Sequence, residues 1–155
     1  MRSVCSAGCG FTHYDNPTPV VAALVEHNGM VVLAHNRSWP PSFRSFYGLI
    51  TGFLERGESP QQCALREVRE ELNLDATAAT LIGAYPFEQM NQVIIAYHVP
   101  AQGTIRLNEE LDAVRHVKFN ECWAWSGGTG SALRDWLRSR GLDPPLLDLT
   151  SLIRD

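Results

Sequence analysis

An α/β fold is what the sequence predicts, and three observations predict it. Aliphatic runs of strand length recur on both sides of one amphipathic stretch of helical length. That stretch carries a capping signal at each end, and a second helical pattern lies near the end of the chain. At 155 residues the chain is most simply one domain, able to bury roughly two-thirds of its unfolded surface.

Residues 1–16 read as an N-terminal extension. They hold no apolar run long enough for a signal-peptide core, and no segment of the chain approaches the ~20 apolar residues of a membrane span, so a cytoplasmic location without a membrane partner is the default expectation. Cys5 and Cys9 with His13 fall short of the four ligands that structural zinc wants, and Cys63 and Cys122 lie far off in sequence. Reduced, non-ligating thiols are the expectation. Asn16-Pro17-Thr18-Pro19 cannot be helix. Val20 to Val25 and Met30 to Ala34 are aliphatic runs joined across Asn28-Gly29, which predicts a hairpin.

The loop from Asn36 to Arg44, NRSWPPSFR, sets Trp39, Phe43 and two arginines beside two prolines. It is either a surface loop with a buried tryptophan or a substrate-facing segment, for which Phe43 and Arg44 are the candidates. Phe46 to Glu55 reads as a strand, with Gly52 allowing close approach of another group.

The predicted central helix runs from about Pro60 to Leu72. Ser59 is a good N-cap, Pro60 suits the first position, and Gln62 completes a capping box. Asn73 tolerates the left-handed conformation that ends many helices. Leu65, Val68 and Leu72 form the stripe to be buried, while Glu67, Glu70 and Glu71 share another side, predicted to be an exposed carboxylate cluster. Such a cluster is either a solvated face paired with Arg66 and Arg69, or a cradle for a hard divalent cation, which takes oxygen ligands and bridges carboxylates to phosphates.

After the helix, Ala79 to Phe87 and Gln92 to Val99 read as strands joined by a turn at Glu88–Asn91. Tyr85 and Phe87 either stack on a base or fill the sheet face. Val114 to Phe119 is a further strand, preceded by Glu109, Glu110 and Asp112. Gly127-Gly128-Thr129-Gly130 breaks the chain before a helix from Ser131 to Arg140 that Gly141 ends. The tail, residues 142–155, is leucine-rich and suited to docking on the domain or on a second subunit, so a homodimer stays open. A net charge of −4 argues against a general nucleic-acid surface and would repel polyphosphates, so an anionic substrate must be recruited by local arginines and metal ions.

The stretch from Gly52 to Leu74 resembles the Nudix box, G-x5-E-x7-R-E-U-x-E-E-x-G-U, with U a bulky aliphatic residue. Gly52, Glu58, Arg66, Glu67, Val68, Glu70, Glu71 and Leu74 fall in register, and Asn73 stands at the second glycine. The resemblance implies a Nudix α/β/α sandwich with a mixed central sheet over residues 17–141. It implies a small-molecule substrate, a nucleoside diphosphate derivative cleaved at its pyrophosphate, with Mg²⁺ or Mn²⁺ as cofactor. Glu67, Glu70 and Glu71 become metal ligands, Glu67 also the candidate base, Glu58 an additional or outer ligand, and Arg66 the residue that orients a glutamate. The carbonyl of Thr51 is a further ligand by resemblance alone. A further acid is expected from Glu110 first, then Asp112 and Glu109. Non-catalytic nucleotide sensing and a non-nucleotide diphosphate substrate are the alternatives; the first is disfavoured because no box glutamate is missing.

The NADH pyrophosphatase branch of that family is similar in two further places. CGFTHYDNP looks like the trailing edge of its zinc ribbon, though three residues rather than two separate Cys5 from Cys9. Its downstream signature, S-Q-P-W-P-F-P-x-S, survives only as Pro86-Phe87.

Overall fold

A computed structural model of the chain describes residues 1–149. The strands are β1 (Arg2–Val4), β2 (Thr12–Tyr14), β3 (Thr18–His27), β4 (Met30–Asn36), β5 (Ile50–Phe53), β6 (Thr80–Phe87), β7 (Gln92–Pro100), β8 (Leu111–Val117), β9 (Ala124–Trp125) and β10 (Leu146–Leu147). The helices are α1 (Pro60–Leu72) and α2 (Thr129–Ser139).

The main sheet has the order β6-β7-β3-β4-β8, with β5 also paired to β3. β3 runs parallel to β7 and antiparallel to β4 and β5, so the sheet is mixed as expected. The continuous aliphatic run of β3 follows from that central place, because both of its faces are covered. Val20, Ala22 and Leu24 pack on the side of α2, while Val21, Ala23 and Val25 pack on the side of α1. Asn28 (φ 54°) and Gly29 (φ 73°) make the left-handed turn that a tight hairpin requires. Helix α1 packs on β3, β5 and β7, and α2 on β6, β7 and β9. Among the described residues no helix is long and apolar enough to cross a membrane.

Three boundaries differ from the sequence reading. The strand expected over 46–55 is regular only at Ile50–Phe53, and its earlier part joins β4 through a single bridge between Gly48 and Ala34. β8 begins at Leu111, ahead of the predicted Val114, because Asn36 and Leu111 pair across a bulge; Phe119 turns off into a short 3-10 segment. Helix α2 starts at Thr129 and takes in Gly130, where a Cβ would overlap the carbonyl of Trp125. That glycine serves close packing rather than chain breaking. In the tail, Leu146–Leu147 lies parallel to Ala124–Trp125, and Leu142, Leu147 and Leu149 pack on the α2 side, so this part docks on its own domain. The remainder of the tail lies outside the described residues.

Candidate active site

Helix α1 forms with the ends that its sequence dictates. The Ser59 side chain accepts from the Gln62 backbone N–H, the Gln62 side chain accepts from the Ser59 N–H at 2.9 Å, and Asn73 closes the helix at φ 60°. Its carboxylates are not an exposed cluster, contrary to the expectation from spacing. Glu67 and Glu71 are buried, at 8% and 3% exposure, and only Glu70 faces water. The reason lies in the neighbouring elements. The carboxylate of Glu67 rests on β5 at Gly52, where a Cβ would overlap it. Glu71 is closed in by the segment before β8, whose Asn108 and Arg106 N–H groups donate to the carbonyls of Glu71 and Leu72 at 3.3 and 2.9 Å.

Arg66 is the hub. Its Nε and Nη2 donate to the two oxygens of Glu58 at 2.7 and 3.1 Å, a bidentate pair. Its Nη1 donates to Glu67 at 2.8 Å and Glu70 at 3.1 Å, and Nη2 also donates to the carbonyl of Phe53 at 3.1 Å. Every arm of the guanidinium is thereby used, and the orienting role read for Arg66 has a geometric basis. The Arg66 contact and the Glu55 N–H hold the Glu58 carboxyl down at about 2. Burial raises Glu67, against the pull of Arg66. Burial, then the charges of Glu67 and Glu110, push Glu71 up to about 8. One arginine thus pairs with Glu58, Glu67 and Glu70, and the repulsion among Glu67, Glu70, Glu71 and Glu110 falls on Glu71.

Of the three acids considered for a further role, Glu110 is the one whose charge reaches Glu67 and Glu71. Asp112 lies on the other face of the sheet, where it accepts from His35 Nδ1 at 2.6 Å. Glu109 and Glu110 line a cleft of about 320 Å³ with Asn36, Arg37 and Ser38. Arg37 donates its backbone N–H to the Glu110 carbonyl at 2.8 Å, which ties the end of β4 to this corner. Arg37, one of two arginines in that loop, lines this cleft just beyond the register shift at His35–Asn36, which the sequence concealed.

The remaining candidates are placed elsewhere. Thr51 is exposed on β5, directly before Gly52. Phe43 packs on the α2 side among Trp39 and Phe46, at ring distances of 6.5 and 5.8 Å. Tyr85 donates to Asp135 of α2 at 2.6 Å, with burial raising its phenol, and Phe87 packs on the same side. Arg44 is exposed and makes no ion pair among the described residues. The four cysteines are free; burial pushes Cys63 up to about 12 and Cys122 to about 11.

The oxygen-only donor set of Glu67, Glu70, Glu71 and Glu110 suits a hard divalent cation, which would offset the like-charge repulsion. As placed, no group of three His, Cys, Asp or Glu among the described residues is arranged to hold an ion, since Arg66 takes up an oxygen each of Glu67 and Glu70. The donors fit in chemistry, and Glu67 and Glu70 each keep a second oxygen that Arg66 does not take.

Comparisons agree with this fold. A profile described as the NUDIX domain matches residues 16–136. Among curated proteins the chain is similar to the NAD-capped RNA hydrolase NudC of Stutzerimonas stutzeri, 28% identical over 116 residues, which cover 74% of this chain and 41% of that protein. It is similar also to the protein of the same name from Pseudomonas aeruginosa, 31% identical over 90 residues, 58% of this chain and 31% of the relative. The chain thus spans less than half the length of these relatives. Among solved structures, a NUDIX hydrolase from Nitrosomonas europaea superposes with a TM-score of 0.72 at 24% identity, covering 95% of this chain and 87% of that one. An ADP-ribose pyrophosphatase from Streptococcus suis gives 0.61 at 14%, over 85% of this chain and all of the other. At these identities the structures speak for the fold.

Proposed function

The chain belongs to the Nudix family, and from that membership we propose that it hydrolyses the pyrophosphate linkage of a nucleoside diphosphate derivative with the help of a divalent metal. The observation that carries the reading is the corner described above, where Glu58, Glu67 and Glu70 share one arginine and Glu71 is buried beside them. A dinucleotide is the first substrate to try, because the curated relatives are named for an NAD cap; ADP-ribose and nucleotide sugars follow.

Water attacks one phosphorus, the bridging P–O bond breaks, and each product leaves with one phosphate. Such transfer needs little covalent help from protein, so placement and charge neutralisation carry the rate. Mg²⁺ or Mn²⁺ held by Glu67, Glu70 and Glu71, with Glu110 beside them, would supply that neutralisation and a more acidic water. Arg66 holds Glu67 and Glu70 in place and keeps Glu58 ionised. Glu67 is the candidate base: with Oε1 fixed by Arg66, its second oxygen is held in one direction to take a proton from the attacking water. Arg37, which lines the cleft beside Glu109 and Glu110, is the cation we assign to an entering phosphate.

The test is a hydrolysis screen with Mg²⁺ and with Mn²⁺ over NADH, ADP-ribose, nucleoside triphosphates and nucleotide sugars. Release of a mononucleotide that requires added metal supports the reading. Turnover without metal, or none on any of these substrates, overturns it.

A further inference from the structure

The end of β4 carries a hydrogen bond that the hydrolytic chemistry does not use. His35 pairs with Ala113 of β8, yet the next residue, Asn36, pairs with Leu111, so Asp112 is left over as the extra residue of a bulge. The carboxylate of that extra residue accepts from His35 Nδ1 at 2.6 Å, across the very step where the register shifts. The His35 ring is flanked by Trp39, edge-on at 5.4 Å, and by Tyr47 at 5.9 Å.

This bond is poorly placed to stabilise the fold. The second ring nitrogen of His35, Nε2, is buried with no hydrogen-bond partner among the described residues, and an unmet polar atom costs about what a bond returns. The Asp112 side chain is 42% exposed, so water competes for it. What the bond supplies is direction. One extra residue in a strand resets the pairing of everything past it. Without the bulge Asn36 would pair with Asp112 and Arg37 with Leu111; with it, Arg37 meets Glu110, and its N–H donates to the Glu110 carbonyl at 2.8 Å. The Glu110 N–H donates in turn to Asn108 Oδ1 at 3.0 Å, and the Asn108 N–H to the carbonyl of Glu71 at 3.3 Å. On the facing strand Asn36 Oδ1 accepts from the N–H and the hydroxyl of Ser38 at 2.8 and 2.7 Å. The two segments that line the cleft beside the carboxylates, Asn36 to Ser38 and Glu109 to Glu110, are those that the pairing reaches just past the bulge.

We propose that Asp112 and His35 are positioning residues of that cleft: their bond locks the bulge, and the locked bulge sets Arg37 opposite Glu110. The use of the cleft for a phosphate rests on the hydrolytic reading above. The locking does not, so the two are tested apart.

The experiment is residue-resolved amide hydrogen exchange by NMR on the full chain, comparing wild type with Asp112→Ala, Asp112→Asn and, as control, Asp143→Ala, which breaks a pair with Arg138 just past α2. Asp112→Ala should speed exchange of the Arg37 amide roughly tenfold, the worth of one lost charge-assisted bond, while the amides of β3 stay as protected as before. Asp112→Asn keeps an acceptor oxygen and should restore most of the protection; Asp143→Ala should leave Arg37 unchanged. On any substrate that the metal screen turns over, Asp112→Ala should raise KM about tenfold, whereas a merely structural role would lower kcat with the folded fraction and leave KM unmoved. Unchanged exchange at Arg37 in Asp112→Ala, protection lost throughout β3, no rescue by Asp112→Asn, or an unmoved KM would each overturn the proposal. If no substrate is turned over, the hydrolytic reading falls, and exchange at Arg37 still decides this one.

Discussion

The two faces of the sheet bury different things. Against α1 lie the buried carboxylates of Glu67 and Glu71 beside Val68 and Leu72, with Glu67 bonded to Arg66. Against α2, the same sheet covers Trp125, Trp136, Leu133 and Leu137, with rings in contact from Trp39 through Phe46 to Trp125. Histidines on the two faces follow suit. His27 and His116 pair with each other at 2.9 Å on the α1 side, while His98 on the α2 side meets Glu26 at 2.6 Å and lies 4.9 Å from the Trp136 ring. A buried charge stabilises little and costs much when left unpaired, whereas an aromatic core contributes directly to stability. Both faces carry an apolar core, and the α1 face in addition keeps carboxylates crowded.

Changes on the two faces should separate activity from stability. The largest effect is expected for Glu71→Gln, which keeps the side-chain shape: turnover should fall by on the order of 10²–10³-fold, with a melting temperature no lower than wild type in metal-free buffer. A variant that melts early would show the glutamate to be structural. Trp136→Ala should do the reverse, costing about 3–5 kcal/mol in chemical denaturation while the molecules that remain folded keep their specific activity. Gly52→Ala sits between the two, because the added methyl meets the Glu67 carboxylate. About 1–3 kcal/mol of stability should go, together with activity, and unchanged kinetics would mean that Glu67 need not lie on β5.

The smallest effect is a matter of pH. Burial and the facing His27 hold His116 below its usual pKa. The unfolded chain takes up that proton as pH falls through about 6.5 and the folded one resists it, so stability is present above that pH and is lost on acidification. His116→Gln should flatten the fall in denaturation midpoint between neutral and mildly acid pH. An unaltered slope would assign the loss to other groups.

How much of this was legible in the sequence differs by face as well. Ser59, Gln62 and Asn73 act locally, through bonds within a few residues, and α1 begins and ends where they indicate. The register of Glu58 and Arg66 to Glu67 is likewise set by one helix and one turn. Burial of Glu67 and Glu71 was not legible, since it depends on Gly52 and on the segment around Asn108, which helical spacing does not see. The placement of Arg37 and Asp112 was not legible for a similar reason: it follows a register shift between His35 and Asn36 that no local pattern shows. A cleft on the α2 face, with Phe46, Tyr47 and Trp125 in its lining, draws on residues from 33 to 147, separations no local pattern encodes.

The central claim is that the α1 corner exists to hold a divalent ion. Calorimetric titration of Mn²⁺ into wild-type protein and Glu71→Gln tests it without reference to any substrate. Saturable binding to the wild type, weakened at least about tenfold in Glu71→Gln, is the predicted result. Equal binding by both proteins, or none by the wild type, would contradict it.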